Sequence, residues 1–285
     1  MSLVMLRLRS QLKKRNYKKL VSKTFIQPNQ NYNLFAQQPE LMTKQRQVAG
    51  GTLNWLTDNS RAKAIVLYFH GGGALTAPLN ADQVQLVNQI TQDPMVNAVI
   101  ADYPLLGSAS SDQILTFATT ALTEVATSGL PVILLADSAG GAWLVKYLWQ
   151  VQPKLVAATI LISPWLDWQL TSSNVVNLAG KEVLLDLSTM QTIGRQFWQG
   201  LTPKQQQLLQ QPLGKVGPVQ VIVGGHEMLL PVDKQLVTEL TLHNSVELLE
   251  YPPAGFHDFV LWFELPETKK AIQKMAAFIK DQYGV

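Results

Sequence analysis

Short hydrophobic runs recur along the chain from about residue 52 onward and alternate with segments in which apolar positions repeat at helical spacing. The runs are continuous rather than alternating in polarity and are rich in β-branched residues, which is typical of parallel strands buried on both faces. They lie at residues 64–69, 98–101, 132–136, 157–162, 219–223 and 246–249. Strands that alternate with helices predict a doubly wound, mostly parallel α/β sheet.

Two segments between or after these runs have recognisable helical starts. In the first, apolar residues recur at helical spacing from Ile114 to Val125, and Ser111 is the predicted N-cap. In the second, Pro266 occupies the first turn, where its missing N–H is tolerated, and apolar residues recur from Ile272 to Ile279.

One long interval interrupts the alternation. About fifty residues separate the run that ends near Ser163 from the run that starts near Val219, and a structureless connection of that length is unusual in a compact domain. Helix-like patterns at residues 188–198 and 203–209 indicate an inserted helical lid. We therefore predict a single domain, residues 1–285, with lid elements at about residues 1–50 and about residues 168–213.

The composition is that of an ordinary globular protein. Hydrophobic residues make up 47% and charged residues 15% of the 285 residues. No apolar run reaches about eighteen residues, so no integral membrane segment is expected. The chain has no cysteine, which excludes disulfides, a thiol nucleophile and thiolate metal ligands. No export signal is recognisable, and a cytoplasmic location is expected.

The formal net charge of +3 conceals a strongly basic N-terminal segment. Residues 1–23 contain eight Lys or Arg and no acidic residue. We interpret this segment as a helix that packs on the body through Leu3, Leu6 and Leu20 and keeps its charges in solvent, with no nucleic-acid partner. Contact with an anionic membrane surface or with nucleic acid is the alternative.

A turn of small residues follows the third hydrophobic run. The sequence Ala136-Asp137-Ser138-Ala139-Gly140-Gly141 stands directly between this predicted strand and a helical pattern. A serine nucleophile requires such a sharp strand-to-helix turn, and the helix that begins there directs N–H groups and a positive dipole end at the reacting centre. Ser138 is therefore the candidate nucleophile. A turn that only lets a helix pack closely is the alternative explanation.

A glycine-rich motif, His70-Gly71-Gly72-Gly73, follows the first run. Glycines let a loop turn backbone N–H groups toward the oxygen of a tetrahedral intermediate. We predict that the N–H groups of Gly71, Gly72 and Ala139 form an oxyanion hole and that His70 and Gly73 shape the loop. A plain glycine turn is the alternative. A phosphate-binding loop is disfavoured because no Gly-Lys-Ser/Thr follows.

The general base must be one of four histidines. His257 follows the last hydrophobic run, within Gly255-Phe256-His257-Asp258-Phe259, where a loop at the carboxyl edge of the sheet is expected. An acid between the serine and this histidine would complete the order serine, acid, histidine. Glu227 directly follows a predicted strand and would accept the second ring N–H of His257. Asp233 is the alternative acid.

Together these motifs resemble the hormone-sensitive-lipase-like branch of the α/β-hydrolases, bacterial esterases that carry an HGGG oxyanion loop. The resemblance spans roughly residues 63–262 and includes Ser163-Pro164-Trp165-Leu166-Asp167 after a strand. It implies an α/β-hydrolase fold, an acid at the position of Glu227, and a lid built from the N-terminal region and an insertion between late strands. It implies no metal and no cofactor.

The predicted reaction is hydrolysis of small or short-acyl carboxylic esters. His257 would take the proton of Ser138, an acyl-enzyme would form, and water would resolve it. An amidase or deacylase with the same three residues is the second hypothesis. A non-catalytic small-molecule-binding protein on a hydrolase scaffold is the third, since a fold does not fix a function. The expected partner is a small-molecule ester, and a homodimer is left open.

Overall fold

The computed structural model of the chain describes residues 2–29, 31–73, 75–251 and 254–284. Over these residues, eight strands form one sheet. The strands are β1 (Lys44–Val48), β2 (Gly51–Trp55), β3 (Ala64–Phe69), β4 (Val96–Asp102), β5 (Val132–Asp137), β6 (Ala158–Ile162), β7 (Val219–Gly224) and β8 (Val246–Tyr251). Their order across the sheet is β1-β2-β4-β3-β5-β6-β7-β8.

The six strands from β3 to β8 are mutually parallel, and β1 and β2 extend the sheet in antiparallel fashion. Each of the six predicted hydrophobic runs forms one of the parallel strands. β3, β5 and β7 are buried at every position, as expected of strands covered on both faces. The predicted mostly parallel α/β sheet is therefore confirmed.

Helices cover the sheet and its carboxyl edge. They are α1 (Leu3–Lys14), α2 (Tyr17–Ile26), α3 (Leu34–Gln37), α4 (Ala81–Ile90), α5 (Ser111–Ala126), α6 (Ser138–Val151), α7 (Ser173–Ala179), α8 (Leu187–Gln199), α9 (Pro203–Gln210), α10 (Leu230–Leu240) and α11 (Pro266–Asp281). Short 3-10 turns lie at Pro39–Leu41, Pro153–Leu155 and Phe259–Leu261. α11 begins at the predicted Pro266, whereas α5 is capped one residue earlier than predicted.

The cap of α5 is Ser110 and not Ser111. The Ser110 side chain accepts a hydrogen bond from the Gln113 N–H at 3.2 Å, and the Gln113 side chain accepts one from the Ser110 N–H at 2.9 Å. This reciprocal pair is a capping box, which satisfies two free N–H groups of the first turn. Ser111 is instead buried, and its hydroxyl donates to the Phe197 carbonyl at 2.8 Å.

Strands β1 and β2 were not predicted from the hydrophobic pattern. β1 has the sequence KQRQV and is exposed at every position except Val48, so no hydrophobic run marks it. Residues 44–48 therefore form an edge strand, although they lie in the stretch that the sequence assigned to the lid. Charged and polar side chains on an edge strand discourage pairing with another chain.

The long interval between β6 and β7 contains α7, α8 and α9, and the last two coincide with the predicted helical patterns. The N-terminal helices α1 and α2 lie against this interval. The Lys18 ammonium donates to the Ala179 carbonyl at 2.7 Å, and the Arg9 guanidinium donates to the Lys181 carbonyl at 2.5 Å. Two basic side chains of the N-terminal segment thus hold carbonyls at the carboxyl end of α7.

The prediction that Leu3, Leu6 and Leu20 pack on the body is wrong, because these side chains are 72%, 40% and 55% exposed. Met5 and Leu12 are buried in their place. These two residues are two helical turns apart and share one face of α1, whereas Leu3 and Leu6 lie on other faces. Within the described parts of the chain, no helix combines the length and the apolar character needed to cross a bilayer.

Candidate active site

Ser138 stands at the turn between β5 and α6. Its φ angle is 53°, in the left-handed region that residues with a side chain rarely adopt. Such strain persists only where the surrounding structure enforces it, and it is common at functional sites. The turn is buried, with Ser138 only 3% exposed, and it directs Ser138 Oγ to within 2.9 Å of His257 Nε2.

His257 lies in the loop after β8 and faces Glu227, which lies just after β7. His257 Nδ1 and Glu227 Oε2 are 3.4 Å apart, which is within ion-pair distance, and both side chains are almost completely buried. Neither of these two atoms has a hydrogen-bond partner among the described residues. The other oxygen, Glu227 Oε1, accepts the Gly224 N–H at 3.0 Å, which fixes the carboxylate at the end of the strand. The structure thus brings Ser138, His257 and Glu227 into one chain of contacts at the carboxyl edge of the sheet.

Asp233, the alternative acid, lies in α10 behind Glu227. It is 1% exposed, and neither carboxyl oxygen has a hydrogen-bond partner among the described residues. Burial raises the pKa of Asp233 well above its ordinary value, and the neighbouring Glu227 raises it further. Both effects favour the neutral form of Asp233, and the carboxyl group that faces His257 Nδ1 is that of Glu227.

The electrostatics of the histidine are dominated by carboxylates. Burial alone would lower the pKa of His257, but Asp258 and Glu227 outweigh it and raise this pKa well above the ordinary value. Burial raises the pKa of Glu227, and contact with His257 and Ser163 opposes that rise. The surroundings of His257 thus favour the imidazolium form of its ring.

Asp258 is a site residue that the sequence analysis did not single out. Its carboxylate Oδ2 lies 3.1 Å from His257 Nε2, the same nitrogen that contacts the serine. Its backbone adopts φ of 49°, and its N–H donates to the Ser163 hydroxyl at 3.1 Å. Its position directly after His257 was the available signal. Only the left-handed backbone shows that its side chain turns back toward the imidazole.

The glycine loop is held by Asp137, the last residue of β5. The Gly71 N–H donates to Asp137 Oδ1 at 2.5 Å, and the same carboxylate accepts the Tyr68 hydroxyl at 2.6 Å and the Gln83 amide at 3.0 Å. A Cβ at position 71 would stand 2.5 Å from Asp137 Oδ2, so the close approach requires glycine. Burial raises the pKa of Asp137 to about 7, and the charge of Asp258 adds to the rise.

This contact changes the predicted oxyanion hole. The N–H of Gly71 is directed at Asp137, so it is already partnered and does not point to a substrate oxygen. The N–H of Gly72 has no hydrogen-bond partner among the described residues. Ala139 lies in the first turn of α6, where N–H groups have no partner within the helix. These two are the remaining donors of the predicted set.

His70 shapes the loop from beneath. It is fully buried, its ring stacks on Tyr103 with centroids 4.2 Å apart, and its Nδ1 lies 2.8 Å from the Gly71 carbonyl. Burial lowers the pKa of His70 to about 4, so the ring is neutral. Gly73 has φ of 52°, and a Cβ there would clash with the Phe25 ring at 2.3 Å. Gly73 therefore lets α2 approach the loop.

Glu182 is a second residue that the sequence analysis missed. It is 2% exposed and lies between α7 and α8. Its Oε1 accepts the N–H groups of Val183 and Leu184 at 2.6 Å and 2.8 Å, and its Oε2 accepts the His257 N–H at 3.3 Å. The lid is thus bonded directly to the backbone of the histidine. No local pattern in the sequence marks this contact.

A cavity of about 390 Å³ opens onto Ser138 and His257. Its walls come from α2, from the glycine loop at residues 70–73, from the segment between α7 and α8, and from the loop that carries His257. The aromatic side chains that line the cavity are Tyr17, Phe25, Tyr32 and Trp262. Within the described ranges, no cluster of three or more His, Asp or Glu has the arrangement of a metal site.

The sequence and the fold are similar to those of several known esterases. Residues 66–261 match a family model described as an alpha/beta hydrolase fold. An esterase of Acinetobacter venetianus is 24% identical over 257 residues, which cover 86% of this chain and 84% of that protein. An acetyl-hydrolase of Streptomyces hygroscopicus is 26% identical over 247 residues, with coverage of 82% and 81%. An esterase from the bacterial hormone-sensitive lipase family has a TM-score of 0.77 at 19% identity, over 99% of both chains.

Proposed function

Because this chain belongs to the α/β-hydrolase fold family, we propose that it is a carboxylic ester hydrolase that acts on small or short-acyl esters through an acyl-enzyme. The observation that carries the proposal is the 2.9 Å contact between Ser138 Oγ and His257 Nε2 at the carboxyl edge of the sheet. Acyl transfer requires a nucleophile and a base within hydrogen-bond reach of each other, and a third group that orients the base. The names of the two sequence relatives, an esterase and an acetyl-hydrolase, agree with this proposal.

In the proposed first step, Ser138 Oγ attacks the ester carbonyl carbon while His257 Nε2 takes the hydroxyl proton. The tetrahedral intermediate then collapses, the bond to the alcohol oxygen breaks, and His257 returns the proton to that oxygen. In the second step, water attacks the acyl-enzyme, with His257 again as base, and releases the carboxylic acid and free Ser138.

Glu227 is the proposed acid of this set. Its contact with His257 Nδ1 at 3.4 Å would hold the ring in the tautomer that leaves Nε2 free to accept a proton. Neither carboxyl oxygen of Asp233 has a hydrogen-bond partner among the described residues, and burial together with Glu227 raises the pKa of Asp233, which favours its neutral form. It is therefore proposed to be a buried structural acid.

The N–H groups of Gly72 and Ala139 are the proposed oxyanion donors. Gly71 and Asp137 serve instead to position the loop, because the Gly71 N–H is bonded to the Asp137 carboxylate. Preorganised donors of this kind typically contribute about a hundredfold to a thousandfold in turnover each.

The small volume of the cavity favours a short acyl chain. Phe25 of α2 comes close enough to the glycine loop that position 73 has no room for a Cβ. Leu184 and Leu185 of the lid also line the space, which totals about 390 Å³. A volume near the lower end of the usual range for ligand sites suits a small ester better than a long-chain lipid.

The proposal is tested by labelling and by a matched substrate panel. A fluorophosphonate probe is expected to label the folded protein and not the Ser138→Ala variant, with the label located by mass spectrometry at residue 138. Phenyl acetate is expected to be hydrolysed at least about a hundredfold faster than acetanilide, because the same nucleophile faces a better leaving group in the ester. Absence of labelling would favour a binding protein on this scaffold, and faster cleavage of the amide would favour an amidase.

A further inference from the structure

Asp258 places an acidic group beside His257, and the proposed mechanism does not assign it a step. It is 8% exposed, and its Oδ2 lies 3.1 Å from His257 Nε2. Its other oxygen, Oδ1, is buried and has no hydrogen-bond partner among the described residues. A buried carboxylate oxygen without a partner is energetically costly unless a ligand or a cation compensates it.

Apart from His257, the charged side chains of the cavity walls are acidic. Asp137 and Asp258 both line it, and among the described residues no lysine or arginine does. The aromatic residues Tyr17, Phe25 and Trp262 line it as well. A carboxylate together with aromatic rings is the combination that attracts an ammonium group, because the faces of aromatic rings carry partial negative charge.

The position of Asp258 indicates which part of an ester it would meet. His257 Nε2 returns its proton to the leaving alcohol oxygen, and Asp258 contacts that same nitrogen. A leaving alcohol that receives this proton would therefore come close to the Asp258 carboxylate. The Asp258 carboxylate also repels the negative charge that develops on the carbonyl oxygen in the transition state. A positive charge in the alcohol part of the ester would offset this repulsion.

We propose that this cavity selects esters whose alcohol part carries a protonated or quaternary amine, and that Asp258 is the residue that determines this specificity. The inference rests on the proposed ester hydrolysis and names its substrate class. Neutral esters are substrates without this advantage, and esters with an anionic alcohol part are disfavoured by the Asp258 carboxylate.

The direct test compares acetylcholine with its neutral isostere, 3,3-dimethylbutyl acetate, in which carbon replaces the quaternary nitrogen. Each kcat/KM is divided by the rate of alkaline hydrolysis of the same ester, to remove intrinsic reactivity. The normalised ratio is expected to favour acetylcholine by about tenfold or more in the natural protein and to fall to near unity in Asp258→Asn. Asp258→Glu, which keeps the charge, should retain part of the preference.

The ratio of two substrates on one variant cancels any general loss of activity that Asp258→Asn causes. Asp281→Asn, which removes one exposed carboxylate at the end of α11, is the matched control and should leave the ratio unchanged. Equal normalised rates for the two esters in the natural protein would overturn the inference while leaving the ester hydrolase proposal intact. So would a preference that survives in Asp258→Asn.

A binding measurement separates the inference from the hydrolytic proposal. Calorimetric titration of the Ser138→Ala variant with choline, and with 3,3-dimethylbutan-1-ol as its neutral counterpart, needs no turnover. Choline is expected to bind about tenfold more tightly, and the difference should disappear when Asp258→Asn is added. If the natural protein hydrolyses no ester, this titration still decides whether the cavity selects a cation, and tighter binding of the neutral alcohol would refute that selection.

Discussion

At the scale of single residues, several buried acids surround His257 and differ in which ring nitrogen they contact. Glu227 contacts Nδ1 and Asp258 contacts Nε2, so the ring has a carboxylate at each nitrogen. Burial lowers the pKa of His257, but these two carboxylates raise it by more. The proposed general base acts only when it is neutral, so this environment would strengthen the base and limit its activity at low pH.

The direction of the His257 pKa shift predicts the pH profile of kcat/KM. His257 is protonated below its raised pKa, so the acidic limb of the profile is expected to have its midpoint above the ordinary histidine value of about 6.5. Asp258→Asn removes one carboxylate that stabilises the imidazolium, so the midpoint should move to lower pH. The measurement is the initial rate with a neutral ester between about pH 5 and pH 10. A midpoint that is unchanged or shifted upward in the variant would contradict this account.

The different contacts of Glu227 and Asp233 give a second prediction. Glu227→Gln should reduce kcat by about a hundredfold or more, because the ring loses the partner that sets its tautomer and stabilises its positive charge. Asp233→Asn should change kcat little, since the raised pKa of Asp233 favours the neutral acid, which the amide resembles in shape and charge. Thermal unfolding of both variants shows whether each remains folded. The opposite ranking of kcat would reassign the acid to Asp233.

At the scale of elements, the segment between β6 and β7 contributes a residue to the candidate site. The segment between α7 and α8 carries Glu182, which accepts the His257 N–H and two N–H groups of its own turn. The N-terminal helices reach the same segment through Arg9 and Lys18, which hold carbonyls at Lys181 and Ala179. The histidine loop is thus braced by an element far away in sequence.

Replacement of Glu182 tests this bracing. Glu182→Gln keeps the shape but introduces an amide N–H₂ on one side, so only one oxygen remains to accept three N–H groups. We expect kcat to fall by about tenfold with a smaller change in KM, because the defect lies in the placement of His257 and not in the cavity walls. Glu40→Gln, at an exposed turn, is the control. Equal effects on phenyl acetate hydrolysis in both variants would remove Glu182 from the site.

At the scale of the whole molecule, one hydrophobic core runs through the sheet, the lid and the N-terminal helices. Met5 and Leu12 of α1, Leu184 of the lid and the buried strands belong to one contiguous cluster. Elements that share a core are expected to unfold together. This continuity supports the prediction of a single domain, in which the lid and the sheet do not form separate folding units.

Thermal or urea unfolding tests that prediction. Far-UV circular dichroism follows all helices, whereas tryptophan fluorescence follows the residues around the sheet and the lid. The two transitions are expected to coincide, because the N-terminal helices and the body lose the same core. Limited proteolysis in the transition region should give no stable fragment. An early transition with loss of helix and unchanged fluorescence would show that the N-terminal segment unfolds by itself.

The sequence alone determined the architecture and the identity of the three principal candidates. Buried parallel strands require continuous hydrophobic runs, and a serine turn and a glycine loop require small residues, so each leaves a local signal. Chain order then placed these signals at one edge of the sheet, since the carboxyl ends of parallel strands meet there. The polar edge strand β1 left no such signal and was missed.

Tertiary structure alone decided which groups touch. It directed the Gly71 N–H to Asp137, turned Asp258 back onto His257, and brought Glu182 to the histidine loop across 75 positions of sequence. It also buried Met5 and left Leu3 exposed. These outcomes depend on backbone angles and on contacts between distant segments, which carry no local pattern. The residue types of a site can therefore be predicted from spacing, but the partner of each N–H and each carboxylate is fixed only when the chain folds.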